Sequence, residues 1–174
     1  HGIDMERFAP EPKAEAREAV GWDPDSRHVL FPYPPSQDVK NHPRARRVVE
    51  RASERVDANV ELQVVYGVAH DEVPTYMNAA DALVLTSERE GSPNSVKEAM
   101  SCNLPVVSTD VGDVRDRLDG VSPSAVSDDD DDLAAALADL LADPRPSDGR
   151  EAIRDISLNR MAERIEGVYE SVRA

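Results

Sequence analysis

Short apolar runs alternate along the chain with longer segments whose apolar residues recur at helical spacing. The runs His28–Tyr33, Val60–Val65, Ala82–Thr86 and Pro105–Ser108 read as strands, and a weaker one covers Ser124–Val126. Helices are predicted over Lys13–Val20, closed by Gly21, and over Pro43–Val56, with many arginines on its outer face. Further helices are expected over Val73–Asn78, Pro93–Cys102, Val114–Leu118, Asp131–Leu141, Arg150–Ile156 and Leu158–Val172. The stretch from Asp143 to Gly149 is a linker between two of them. Strands that alternate with helices imply an α/β fold with a doubly wound parallel sheet. Ligands of such sheets bind at the carboxyl ends of the strands.

The stretch Glu90-Gly91-Ser92-Pro93-Asn94-Ser95-Val96-Lys97-Glu98 lies at such an end, between a strand-like run and a helix-like one. Pro93 lacks an N–H and suits a first helical turn. The N–H groups of Asn94 and Ser95 then point out of the helix end, where the partial positive charge favours a phosphate. Gly91 allows a bulky ligand close to the backbone. Glu98 falls about one turn into the helix and Glu90 precedes it on the loop. Carboxylates accept from hydroxyls and do not pair with phosphate. Phosphate donors and hydroxyl acceptors together suit a nucleotide sugar. A competing reading makes Glu98 a solvated helix residue and Glu90 a loop charge.

The loop from Pro32 to Asn41 follows the first strand, and its prolines keep it non-helical. Lys40 ends this loop just before a helix and suits a diphosphate as a point charge. It also reads as an ordinary surface lysine, although the chain has only three lysines. His70, near Asp71, is expected to be an exposed or capping residue and not a general base. His28 and His42 lack partners at metal-ligand spacing, so no structural metal is expected.

Composition narrows the class. Asp and Glu number 35 against 20 Lys and Arg, a net charge of −15. Such a surface repels nucleic acid and anionic membrane. It also suits solubility at very high salt, where repulsion is screened, and so a halophilic source. The acidic run Asp128–Asp132 abuts an apolar helical pattern and is expected to place negative charge at a helix start. Cys102 is the single cysteine and reads as a small core residue. No apolar run is long enough for a transmembrane helix and no signal peptide is evident, so a cytoplasmic setting is expected. A chain of 174 residues reads as one domain.

The block from Val73 to Gly112, centred on the Glu90-to-Glu98 phrase, resembles the donor-binding half of retaining glycosyltransferases of family 4. The opening His1–Phe8 and the closing segment Arg160–Tyr169 are similar to the phrases that enter and end that domain. The resemblance implies one half of a GT-B enzyme, Rossmann-like, with residues 159–174 as a closing helix. An N-terminal acceptor-binding domain would be its partner. The implied substrates are a nucleotide-diphosphate sugar and a carbohydrate or lipid-linked acceptor, without a further cofactor. Peripheral attachment to a membrane would come through the missing half or the acceptor. Lys40 and the helix N-terminus would stabilise the leaving diphosphate, and Glu90 would orient the donor sugar. Glu98 would hold the ribose, with Ser92, Asn94 and Ser95 lining the space between. Gly67 and Val68 would hold the nucleobase. The family usually offers an Arg as well as a Lys to the phosphates, and Gln37 stands near where that Arg is expected. Two other readings are a non-catalytic nucleotide-sugar-binding module and another GT-B enzyme, such as an epimerase or a phosphorylase. A phosphorylase would need a pyridoxal-phosphate lysine, for which the chain offers no convincing site.

Overall fold

A computed structural model describes residues 2–155 and 165–168 of the chain. One sheet contains β1 (Arg27–Phe31), β2 (Val60–Val64), β3 (Ala82–Leu85), β4 (Val106–Ser108) and β5 (Ser124–Val126), in the order β2-β1-β3-β4-β5. Every pairing is parallel. The helices are α1 (Lys13–Val20), α2 (His42–Ser53), α3 (Val73–Ala79), α4 (Asn94–Ser101), α5 (Val114–Leu118) and α6 (Asp130–Ala142). Residues 149–155 and 165–168 are also helical, whereas most of the expected closing helix over 159–174 lies outside the described residues.

The alternation of side chains along each strand explains why the sheet is covered on both faces. On β3, Leu83 and Leu85 join Leu30, Met77, Val96, Met100, Val114 and Leu118 in one core. Ala82 and Val84, one step out of phase, join Val29, Phe31, Val48, Leu133, Leu137 and Leu141 in the other. Helices α3, α4 and α5 therefore cover one face, and α2 and α6 the other. The chain runs from β1 outward to β2, then returns to place β3 on the opposite side of β1. That reversal is the switch point of a doubly wound sheet, and it opens a crevice beyond the strands' carboxyl ends.

Element ends depart from expectation for local reasons. β1 stops at Phe31 because Pro32 has no N–H with which to continue the ladder. α2 stops at Ser53, short of Val56, and the Ser53 hydroxyl donates to the Glu50 carbonyl at 2.7 Å. The same carbonyl still accepts the Glu54 N–H at 3.3 Å, so the last helical bond is shared with the hydroxyl. Pro93 is the extended residue before α4 rather than part of its first turn. Two short 3-10 turns, Asp38–Lys40 and His70–Glu72, were not anticipated.

The acidic run is a built helix start. Asp129 accepts from the N–H groups of Asp131 and Asp132 at 2.8 and 3.0 Å, capping α6. Asp130, Asp131 and Asp132 crowd its first turn, where the dipole favours them. The arginines of α2 do not all face solvent as expected. Arg44 donates to Asp130 and to the Asp128 carbonyl, both at 2.6 Å, and Arg51 reaches Asp131 at 3.2 Å. These pairs tie α2 to α6, which pack side by side on one face of the sheet. Replacing Asp129 by Ala should lower stability by about 1 kcal/mol through loss of the cap. Replacing Arg46, whose Glu50 contact is a 3.9 Å pair on the surface, should change it by less than about 0.5 kcal/mol. Urea denaturation of both variants checks the contrast.

Candidate functional site

A cleft of about 570 Å³ opens beyond the carboxyl ends of β1 and β2, against the first turn of α4. Its walls include Tyr33, Lys40, Glu90, Ser95 and Glu98, with the strand exit over residues 65–68 opposite. A second hollow of about 330 Å³ lies elsewhere, lined by Lys13, Asp81, Cys102 and Arg145 among others. Its buried charge is already satisfied, since Asp81 takes Lys13 at 2.5 Å and Arg17 at 2.8 Å.

Lys40 is placed by the end of β3. The Thr86 hydroxyl reaches the carbonyls of Lys40 and Asn41 at 3.1 and 3.0 Å. The Glu88 N–H donates to the Val39 carbonyl at 2.9 Å. Asn41 adopts a left-handed conformation and caps α2 by accepting from the Arg44 N–H. The loop between β1 and α2 is thereby held against the loop after β3. Its lysine meets Glu90 there: the Lys40 Nζ pairs with Glu90 Oε1. Ser87 donates to the same oxygen at 2.8 Å. The pair is largely withdrawn from water, at 16% and 13% side-chain exposure. The ammonium also sits 4.3 Å from the centroid of the Tyr33 ring, a cation–π contact. The Tyr33 hydroxyl in turn bonds to the Ser95 Oγ in the first turn of α4. Burial, opposed by that bond and reinforced by Glu90 and Glu98, raises the Tyr33 phenol above its ordinary value.

Glu98 lies one turn into α4, half-buried on the cleft wall. Desolvation pushes its carboxyl up to about 7. Among the described residues, no donor offsets that burial. A carboxylate so placed takes hydroxyl donors readily, because they replace the water it has lost.

The structure gathers most of the predicted residues. Lys40, Glu90, Ser92, Asn94, Ser95 and Glu98 share one cleft, and Gly67 and Val68 line its far side. Ser92, however, has its hydroxyl engaged behind the loop, donating to Asp113 at 2.7 Å. Gly91 is exposed between two cleft-lining residues, Glu90 and Ser92, with open space where a Cβ would stand. Its carbonyl accepts from the Asp113 N–H at 3.0 Å, so this peptide faces the loop after β4. The glycine that the geometry requires is Gly112. It holds φ +53°, and a Cβ there would lie 2.0 Å from the Gly91 oxygen and 2.8 Å from the Glu90 oxygen. Tyr33, Ser87, Thr86, Gly112 and Asp113 were not singled out from the sequence. An isolated Gly between a strand and a helix signals Gly112, whereas the others become legible only when the loops meet. Gln37 lines the cleft where the second cation was expected, and among the described residues lining it Lys40 is the single Lys or Arg. His70 is exposed and sits edge-on to Phe8, with ring centroids 5.7 Å apart. Among the described residues, no three His, Cys, Asp or Glu converge as metal ligands.

Fold and site together define a Rossmann-like domain whose switch-point cleft combines a helix N-terminus, a cation and two carboxylates. The family model for group 1 glycosyl transferases matches residues 40–143, and the chain belongs to that family. A lipopolysaccharide core biosynthesis mannosyltransferase from Rhizobium meliloti is 28% identical, over 99% of this chain and 60% of its own length. Among solved structures, sucrose-phosphate synthase from Thermosynechococcus elongatus superposes with a TM-score of 0.76 at 20% identity, covering 98% of this chain and 51% of that one. The Anabaena protein HepE, in complex with UDP and glucose, superposes with a TM-score of 0.68 at 15% identity, covering 100% and 55%. The chain thus spans about half to three-fifths of the length of these proteins. Its fold is one half of a GT-B glycosyltransferase.

Gly112→Ala should cost about 1–3 kcal/mol from backbone strain alone, with the clash against Gly91 added. Its amide spectrum should change at Glu90 and Gly91. Glu98 supplies a test of burial. Its folded value of about 7 exceeds the ordinary 4.5, so the folded state holds the extra proton between those values. Its contribution to stability therefore falls as pH rises through that window. Glu98→Gln should remove the penalty, leaving the variant more stable than the parent at about pH 8 and nearly equal at about pH 4. Denaturation curves at both pH values measure the difference.

Proposed function

We propose that this chain is the donor-binding half of a retaining family 4 glycosyltransferase. It moves a sugar from a nucleotide-diphosphate sugar to a carbohydrate or lipid-linked acceptor held largely by an N-terminal domain. The observation that carries this reading is one cleft with opposite chemistry at its parts. The α4 N-terminus and Lys40 suit a diphosphate. Glu90 and Glu98 suit hydroxyls on either side of it. The matching mannosyltransferase and the neighbour in complex with UDP and glucose support the same substrate class.

The difficult step is departure of the nucleoside diphosphate from the sugar's anomeric carbon. Charge grows on the leaving oxygens, and Lys40 with the N–H groups of Asn94 and Ser95 stabilises it. Glu90 orients the sugar through its hydroxyls. Glu98 holds the ribose, and Gly67 with Val68 packs against the base. A second reading, a non-catalytic nucleotide-sugar-binding module, draws on Gln37. An amide in place of a guanidinium removes a charge-assisted bond of about 1.5–3 kcal/mol.

Calorimetric titration with UDP, GDP and ADP and their sugar conjugates tests the site. One nucleotide series should saturate, and Glu98→Ala should weaken it about tenfold or more. Because hydroxyls donate to the ionised carboxylate, affinity for the intact nucleotide sugar should rise from about pH 6 to about pH 8 with proton release at the lower end. A flat pH profile in the parent would remove Glu98 from the ribose. Sugar transfer by the chain joined to its acceptor domain would decide against the module.

A further inference from the structure

Lys40 is the single Lys or Arg among the described residues lining the cleft, and its ammonium is already paired with Glu90. A diphosphate that takes Lys40 must take it from that carboxylate. We infer that Glu90 sets the site's preference for the intact nucleotide sugar over the free nucleoside diphosphate, by competing with the diphosphate for Lys40. The inference rests on the donor-site reading above and adds a selectivity to it.

In the pair, Lys40 has Glu90 and the face of Tyr33, and Glu90 has Lys40 and the Ser87 hydroxyl. Both groups are mostly withdrawn from water, so neither is freely resolvated when its partner leaves. Separating a desolvated pair leaves an uncompensated charge, which costs more than the pair itself contributes. A free diphosphate compensates Lys40 and leaves Glu90 with Ser87 alone, beside an added anion. A nucleotide sugar compensates both, because its sugar hydroxyls donate to the carboxylate that the phosphates displaced. Selectivity of this kind comes from the unpaired group in the wrong complex. Gln37 sharpens the effect, since a neutral amide supplies no second cation to absorb the competition. The same logic favours product departure: once the sugar has left, Glu90 reclaims Lys40.

The experiment titrates the 174-residue chain, its Glu90→Gln variant and the Lys40→Met/Glu90→Gln double variant. The probes are UDP and GDP, and UDP-glucose and GDP-mannose. The parent should bind one nucleotide sugar more tightly than the matching diphosphate. Glu90→Gln keeps the side-chain shape and removes the competing charge. It should tighten the diphosphate about tenfold and narrow the preference for the sugar conjugate by a similar factor. The double variant should lose that gain, which ties it to Lys40 rather than to a general fall in negative charge. Unchanged or weaker diphosphate binding by Glu90→Gln, with the parent still binding, would overturn the selectivity and leave the donor site standing. A gain that survives loss of Lys40 would also overturn it. Binding of no probe by either the parent or Glu90→Gln would remove the donor site itself, and the inference with it.

Discussion

The carboxyl end of β3 is the constraint on which the site depends. A buried central strand must hand over its last polar groups to partners, because no water reaches them. Thr86 and Ser87 are both buried, and each is claimed by a different loop. Thr86 holds the backbone that carries Lys40. Ser87 holds the Glu90 carboxylate, and its own carbonyl accepts from the Thr109 hydroxyl at 2.8 Å. The Leu85 carbonyl takes the Thr109 N–H at 2.9 Å, continuing the pairing with β4. Three loops, after β1, β3 and β4, are therefore registered on one strand end. The strand end thus brings the loop that carries the lysine beside the loop that carries the carboxylate, where the two side chains pair.

The charge distribution follows a related logic. A net charge of −15 gives the surface a strong negative field, yet the charges that matter structurally are locally paired. Asp129 to Asp131 are spent on the start of α6 and on the arginines of α2. Asp81, buried beneath α1, holds Lys13 and Arg17. In the cleft the balance differs, for one lysine faces two carboxylates. The α4 N-terminus adds its oriented N–H groups to that one full positive charge.

Much of the architecture was legible in the chain. The period change between strands and helices marks every strand of the described sheet, and α1 and α5 have the bounds that their apolar spacing implies. The motif from Glu90 to Glu98 was readable because proline, small polar residues and glycine have local meaning wherever they occur. Element ends were less legible: α2 stops at Ser53, short of the Val56 that the apolar spacing suggested. The site was legible as a set of residue types and only partly as an arrangement. Gly91 stood out within the motif, whereas Gly112, distant from it in sequence, carries the close approach of the two loops.

By itself, the sequence determined the α/β class, the alternation that builds two cores, and most of the residues that line the cleft at the strands' carboxyl ends. Those properties are local, since they follow from side-chain chemistry and from periods of two and 3.6 residues. Only the tertiary structure decided that Lys40 and Glu90 are partners, that Tyr33 lies under the lysine, and that Ser92 turns away towards Asp113. Each of those contacts joins loops far apart in the chain. Their positions come from parallel strands ending at one edge of a sheet, a long-range condition that local residue patterns do not encode.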